Sequence, residues 1–162
     1  MPKADAHAAE RDGRRLALSA LFEADFGQHT AAKALERELS AEGIAGGAAD
    51  LARRIVGAVV AERDSIDAMI ERLAPQYPVT QLARVDRALL RSGIAELLHC
   101  ATPARVSIAE WVELARTYSG EPARRLVNGV LGRVADEASG NSEGGSDRHR
   151  GGKGSTNGSF DI

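Results

Sequence analysis

Apolar positions recur at intervals of three and four residues along most of this chain, the spacing of one face of an α-helix. In the first block, residues 10 to 27, Leu18, Leu21, Phe22 and Phe26 fall on that spacing, and the pattern stops near Gly27. Ala31 to Glu42 is more polar, with Leu35 and Leu39 on one stripe, and ends before a loop from Gly43 to Gly47. Asp50 is an N-cap type of residue, and Leu51, Ile55, Ala58 and Val59 follow it as a third stripe. After Asp64 or Ser65 a fourth begins, with Ile66, Met69, Ile70 and Leu73. Pro75 and Pro78 impose a turn, and Thr80 is a candidate cap for a run from Gln81 to Cys100. In that run Val85 and Leu89 face one way while Leu90, Ile94 and Leu97 face another, which predicts a central helix. Ser107 is a candidate cap for a helix carrying Ile108, Trp111, Val112 and Ala115. Gly120 and Pro122 open a last helix with Val127, Val130, Leu131 and Val134.

Six or seven helices and no convincing strand place the chain in the all-α class, in a helical domain over residues 10–138. Residues 1–9 read as a flexible N-terminus. Residues 139–162 are rich in Gly and Ser and nearly devoid of large apolar side chains, and read as a disordered tail, because burial cannot offset their ordering entropy. Composition agrees with an aliphatic helical core: 43% of the 162 residues are hydrophobic but only 4% aromatic.

A net charge of -2 removes the simplest electrostatic argument for nucleic-acid binding, so any RNA site must be local. The lone cysteine, Cys100, excludes an intrachain disulfide and points to a reducing compartment. With no signal-like segment at the N-terminus and no apolar run near the ~20 residues of a spanning helix, the expected location is cytoplasmic, with no membrane role.

Candidate chemistry is sparse. The histidines at 7, 29, 99 and 149 show no metal-ligand spacing, so no metal is expected. His99 and Cys100 are neighbours, and on a helix they would point about 100° apart, which does not suit proton exchange. No Gly-rich loop follows a strand and precedes a helix, so no nucleotide cofactor is expected. The pairs Glu110/Glu113 and Asp136/Glu137 fit solvated helix faces, and Trp111 falls on an apolar stripe as a core residue. These features predict a protein without catalytic function.

Three segments carry a resemblance. Arg11–Asp25 reads RDGRRLALSALFEAD, Val85–Leu98 reads VDRALLRSGIAELL, and Val106–Leu131 reads VSIAEWVELARTYSGEPARRLVNGVL, ending in LVNGVL. Together, and in this order, they resemble the NusB family of transcription antitermination factors over residues 11 to 138. The resemblance implies a fold of two small helical bundles. It also implies binding of the boxA element of nascent ribosomal RNA, together with the ribosomal protein NusE. Other elongation factors and RNA polymerase would then be indirect partners. Some members of the family form homodimers, so self-association is left open, and the surface around Val79 to Cys100 is implied for NusE.

The sequence departs from the family's arginine-rich N-terminus. Lys3 with Arg11, Arg14 and Arg15 against Asp5, Glu10 and Asp12 leaves only +1 over residues 1–15. Over residues 116–133, Arg116, Arg124, Arg125 and Arg133 oppose only Glu121, giving +3. The candidate RNA contacts are therefore Arg11, Arg14 and Arg15 on the first helix and Arg124 and Arg125 on the last, since guanidinium forks suit phosphates. Asn128 shares their face, where it either reads a base edge or bridges helices from a buried position. Tyr118, at the junction before the last helix, either stacks on a base or closes the junction against Leu114. Two other functions compete: the helical N-terminal domain of a ribosomal RNA cytosine methyltransferase, which requires a following catalytic domain, and a NusB-fold interaction module with weak or lost RNA binding.

Overall fold

The computed structural model describes residues 3–144, which form seven α-helices and one 3₁₀ turn. They are α1 (Lys3–Ala24), α2 (Ala31–Glu42), α3 (Gly46–Ala61), α4 (Arg63–Leu73), the turn Val79–Gln81, α5 (Arg84–His99), α6 (Ala104–Tyr118) and α7 (Glu121–Gly144). No strand occurs among the described residues. Helices α1, α2 and α3 pack on one another as a first bundle, and α4, α5, α6 and α7 form the second. Helix α5 also packs on α1 and α3, so it belongs to both. Its run from Ala88 to Glu96 is buried without interruption, as its two apolar faces predict.

Several boundaries differ from the sequence reading. Helix α1 starts at Lys3, so the segment read as a flexible N-terminus is helical from there; Ala6, Ala8 and Ala9 are strong helix formers that extend an established helix at little cost. Helix α7 runs to Gly144, so residues 139–144 extend it rather than opening the tail. The remainder of the expected tail, residues 145–162, lies outside the described residues. Of the expected caps, Asp50, Thr80 and Ser107 do not serve: α3, α5 and α6 start at Gly46, Arg84 and Ala104, and none has a side-chain cap. Thr30 does cap α2, its hydroxyl accepting from the Lys33 amide at 3.2 Å.

Two glycines set how closely helices approach. A Cβ on Gly13 would lie 2.5 Å from the carbonyl oxygen of Ala48, so α1 and α3 cross backbone to backbone at that point. On Gly93 it would lie 2.8 Å from a Leu131 methyl, so the missing side chain lets α7 lie against α5. The stripe inside the first bundle is Leu16, Ala17, Leu18 and Ala20, whereas Phe22 and Phe26, expected to continue it, are exposed. Their side of α1 is the side that faces solvent.

Candidate nucleic-acid interface

The three arginines of α1 part company because Arg14 and Arg15 are adjacent and so about 100° apart around the helix, which turns one toward the bundle and the other away from it. Arg14 points inward. Its side chain is 2% exposed and forks onto Glu96 of α5, with Nε to Oε1 and Nη2 to Oε2 both at 2.8 Å. The same carboxylate accepts from Trp111 Nε1 at 2.8 Å and Thr102 Oγ1 at 2.6 Å, so both oxygens are satisfied from α1, α6 and the loop after α5. Burial opposes ionisation of Glu96, but the hydrogen bonds from Arg14 and Thr102, the Arg14 charge and the Trp111 hydrogen bond outweigh it and hold the carboxyl below its ordinary value. Arg14 therefore presents nothing to a phosphate; it fixes α1 against α5 and α6.

Arg11 and Arg15 lie outward. Arg11 is 67% exposed and donates from Nε to Glu110 at 3.0 and 3.2 Å. Arg15 reaches Glu42 of α2 at 2.6 Å and Asp12 at 3.4 Å. On the last helix, Arg124 is held by Glu121 one turn earlier, at 2.9 Å. Arg125 and Asn128 are exposed on α7, which removes the reading of Asn128 as a buried bridge.

Arg15 and Tyr118, 103 positions apart in sequence, line one groove of about 420 Å³ with Leu18, Ser19, Phe22 and Val85. Tyr118 is 48% exposed there, its ring open to solvent, so packing against Leu114 does not consume it. Arg125 lines a different groove, with Gln76, Tyr77 and Arg133. The two grooves share no lining residue, so Arg15 and Tyr118 lie on one surface and Arg125 on another, while Arg11, Arg124 and Asn128 line neither groove.

The structure adds residues not singled out as functional in the sequence. Phe22 meets Phe26 edge to face, with ring centroids 5.3 Å apart, and the Arg84 guanidinium carbon lies 4.2 Å above the Phe26 ring. Arg15, Ser19, Phe22 and Phe26 are spaced four, three and four along the chain, which aligns them down one outer face running past the end of α1. That spacing is legible in the sequence, but Phe22 and Phe26 also fit the apolar stripe of Leu18 and Leu21, which points them to the core. Arginine beside exposed aromatic rings is the composition of a surface on which bases stack and phosphates pair.

Two small helical bundles sharing one helix, with this groove of Arg15 and aromatic rings alongside, define an all-helical fold. The sequence model of the NusB family matches residues 11–136. The chain is 41% identical to the transcription antitermination protein NusB of Heliobacterium modesticaldum over 130 residues, covering 80% of this chain but 63% of that protein. It is 40% identical to the Chloroflexus aggregans NusB over 124 residues, covering 75% of this chain and 83% of that one. Among solved structures, Thermotoga maritima NusB superposes with a TM-score of 0.73 at 32% identity, covering 79% of this chain and 91% of that one. A structure of the antitermination factors NusB and NusE in complex with double-stranded RNA superposes with a TM-score of 0.70 at 26% identity, over 80% of this chain and 98% of that one. The chain belongs to the NusB family. No helix among the described residues is long and apolar enough to cross a membrane.

Proposed function

We propose that this chain is a non-enzymatic, cytoplasmic transcription antitermination factor that binds boxA RNA of ribosomal RNA transcripts together with NusE. The observation that carries this reading is the convergence of Arg15, Phe22 and Tyr118 on one groove of a NusB-family fold. In that groove Arg15 pairs with a phosphate, and the open rings of Tyr118 and Phe22 take unpaired bases. Arg11 and Arg124 are further candidate contacts outside the groove lining, and each of them, like Arg15, must release a carboxylate to take a phosphate. Arg125 and Asn128 would follow the strand onto the neighbouring surface. Arg14 acts by positioning α1.

A second reading is favoured by one specific observation: Arg11, Arg14 and Arg15 each already hold a carboxylate, Glu110, Glu96 and Glu42. A NusB-fold module that binds its ribosomal-protein partner with RNA recognition weakened would be arranged in this way. Titration of labelled boxA RNA at two salt concentrations, with and without NusE, separates the two. Salt-sensitive binding that NusE strengthens supports the first reading, and a NusE complex that leaves the RNA free supports the second.

A further inference from the structure

A cavity of about 480 Å³ opens between the end of α1, the start of α2, the end of α3 and the start of α5. One carboxylate at its edge, Asp25, faces three guanidinium groups. Arg87 occupies Asp25 Oδ2 at 2.6 Å, while Arg84 approaches the same oxygen only to 3.6 Å and Arg63 reaches Oδ1 only at 3.9 Å. Arg63, Arg84 and Arg91 all line the cavity; Arg91 is forked onto Asp67 at 2.8 Å, while Arg63 and Arg84 are about half exposed and share one carboxylate already committed to Arg87. The start of α2 contributes as well: Thr30 and Ala31 line the cavity, and the Ala31 and Ala32 amides precede the first internal hydrogen bond of that helix, from the Ala34 amide to the Thr30 carbonyl. Leu21, Val59 and Val60 add apolar lining, and the Phe26 ring lies under Arg84.

We propose that this cavity binds the phosphate of a nucleotide, with Arg63, Arg84 and the α2 amides holding the anion and the apolar lining taking the sugar or base. A volume of this size suits a mononucleotide. The phosphate could be carried by a free nucleotide or by an RNA strand leaving the groove beside Phe22; only the second source rests on the RNA reading above. Asp25 holds the arginines in place while keeping the site empty of adventitious anions through its own charge.

The test uses the full chain, with inorganic phosphate, adenosine monophosphate and a labelled single-stranded RNA as probes. Adenosine monophosphate is expected to shift the amide resonances of Ala31 and Ala32 in a saturable, salt-sensitive manner, with phosphate acting more weakly. The double variant Arg63→Ala/Arg84→Ala replaces half-exposed side chains, and its fold is checked by thermal melting. It should bind the nucleotide at least about tenfold more weakly, the order expected for lost hydrogen bonds to a charged group. Asp25→Asn should bind it more tightly, whereas a purely structural role for Asp25 predicts weakening. Displacement of the RNA by the nucleotide assigns the phosphate to a strand, and simultaneous binding assigns it to a free nucleotide. Nucleotide binding in a chain that binds no RNA leaves the cavity standing while removing the RNA reading. Absence of shifts at Ala31 and Ala32 at millimolar nucleotide, or wild-type affinity in the folded double variant, overturns the proposal.

Discussion

Arg14 and Glu96 stand 82 positions apart in the chain and meet through two parallel hydrogen bonds of 2.8 Å inside the protein. The pair decides which arginine of α1 is structural. Replacing Arg14 with alanine leaves Glu96 buried with its charge uncompensated, which should cost about 3 to 5 kcal/mol of folding stability. Chemical denaturation measures this. Arg14→Met combined with Glu96→Leu removes both charges and should recover part of the loss, the remainder reflecting the acceptor that Trp111 and Thr102 lose, whereas an additive double variant would show that the two residues act separately.

The same pair sets a dependence on acid. Glu96 titrates below its ordinary value of 4.5 in the folded protein, so its contribution is fully present above that value and declines as pH falls through the lower, folded one. Thermal melts below pH 4.5 should therefore show a steeper loss of stability in the wild type than in the Arg14→Met/Glu96→Leu variant. Parallel curves would contradict this assignment.

Gly13→Ala tests the α1–α3 crossing. The added methyl would lie 2.5 Å from the Ala48 carbonyl oxygen, which belongs to a helix backbone and cannot rotate aside. A destabilisation of about 1 to 3 kcal/mol is expected, although alanine is the better helix former. A gain in melting temperature would mean that α3 yields.

Ser92 on α5 and Ser107 on α6 are completely buried, and neither hydroxyl has a hydrogen-bond partner among the described residues. Removing an unpaired buried hydroxyl costs little and relieves a desolvation penalty, so Ser92→Ala should be neutral or stabilising, by up to about 1 kcal/mol. A loss beyond about 1 kcal/mol would reveal a partner for that hydroxyl.

For the groove, Tyr118→Ala and Phe22→Ala should each weaken boxA RNA binding by about 1 to 3 kcal/mol with little change in salt dependence. Arg15→Ala should lower the magnitude of the log affinity versus log salt slope by ~0.7. Fluorescence titration across a salt series distinguishes the two signatures. Wild-type binding by all three folded variants would move the RNA site elsewhere.

Periodicity carried most of the architecture, because helix faces are set by local spacing and the central helix betrays itself by having two apolar sides. Helix starts were harder: Asp50, Thr80 and Ser107 are cap-type residues, yet tertiary packing starts their helices several residues earlier or later, without side-chain caps. The site divided in the same way. Arg15 and Tyr118 could be named from local charge and position, but their meeting across the fold could not. Arg14 looked like its neighbours because nothing local announces a partner at position 96. Phe22 and Phe26 differ for the opposite reason, since their spacing matches the core stripe and only the packing of α2, α3 and α5 decides which side of α1 faces inward.

Because α5 gives one side to α1 and α3 and another to α6 and α7, the chain has no seam along which it can be divided. A polypeptide severed at Glu62, between α3 and α4, would leave the first fragment with an uncovered apolar floor and the second with the run from Ala88 to Glu96 half exposed. Each piece should be unable to hold its shape alone, while the two mixed together should reconstitute the fold. Any reporter joined to the two halves would then signal their reunion.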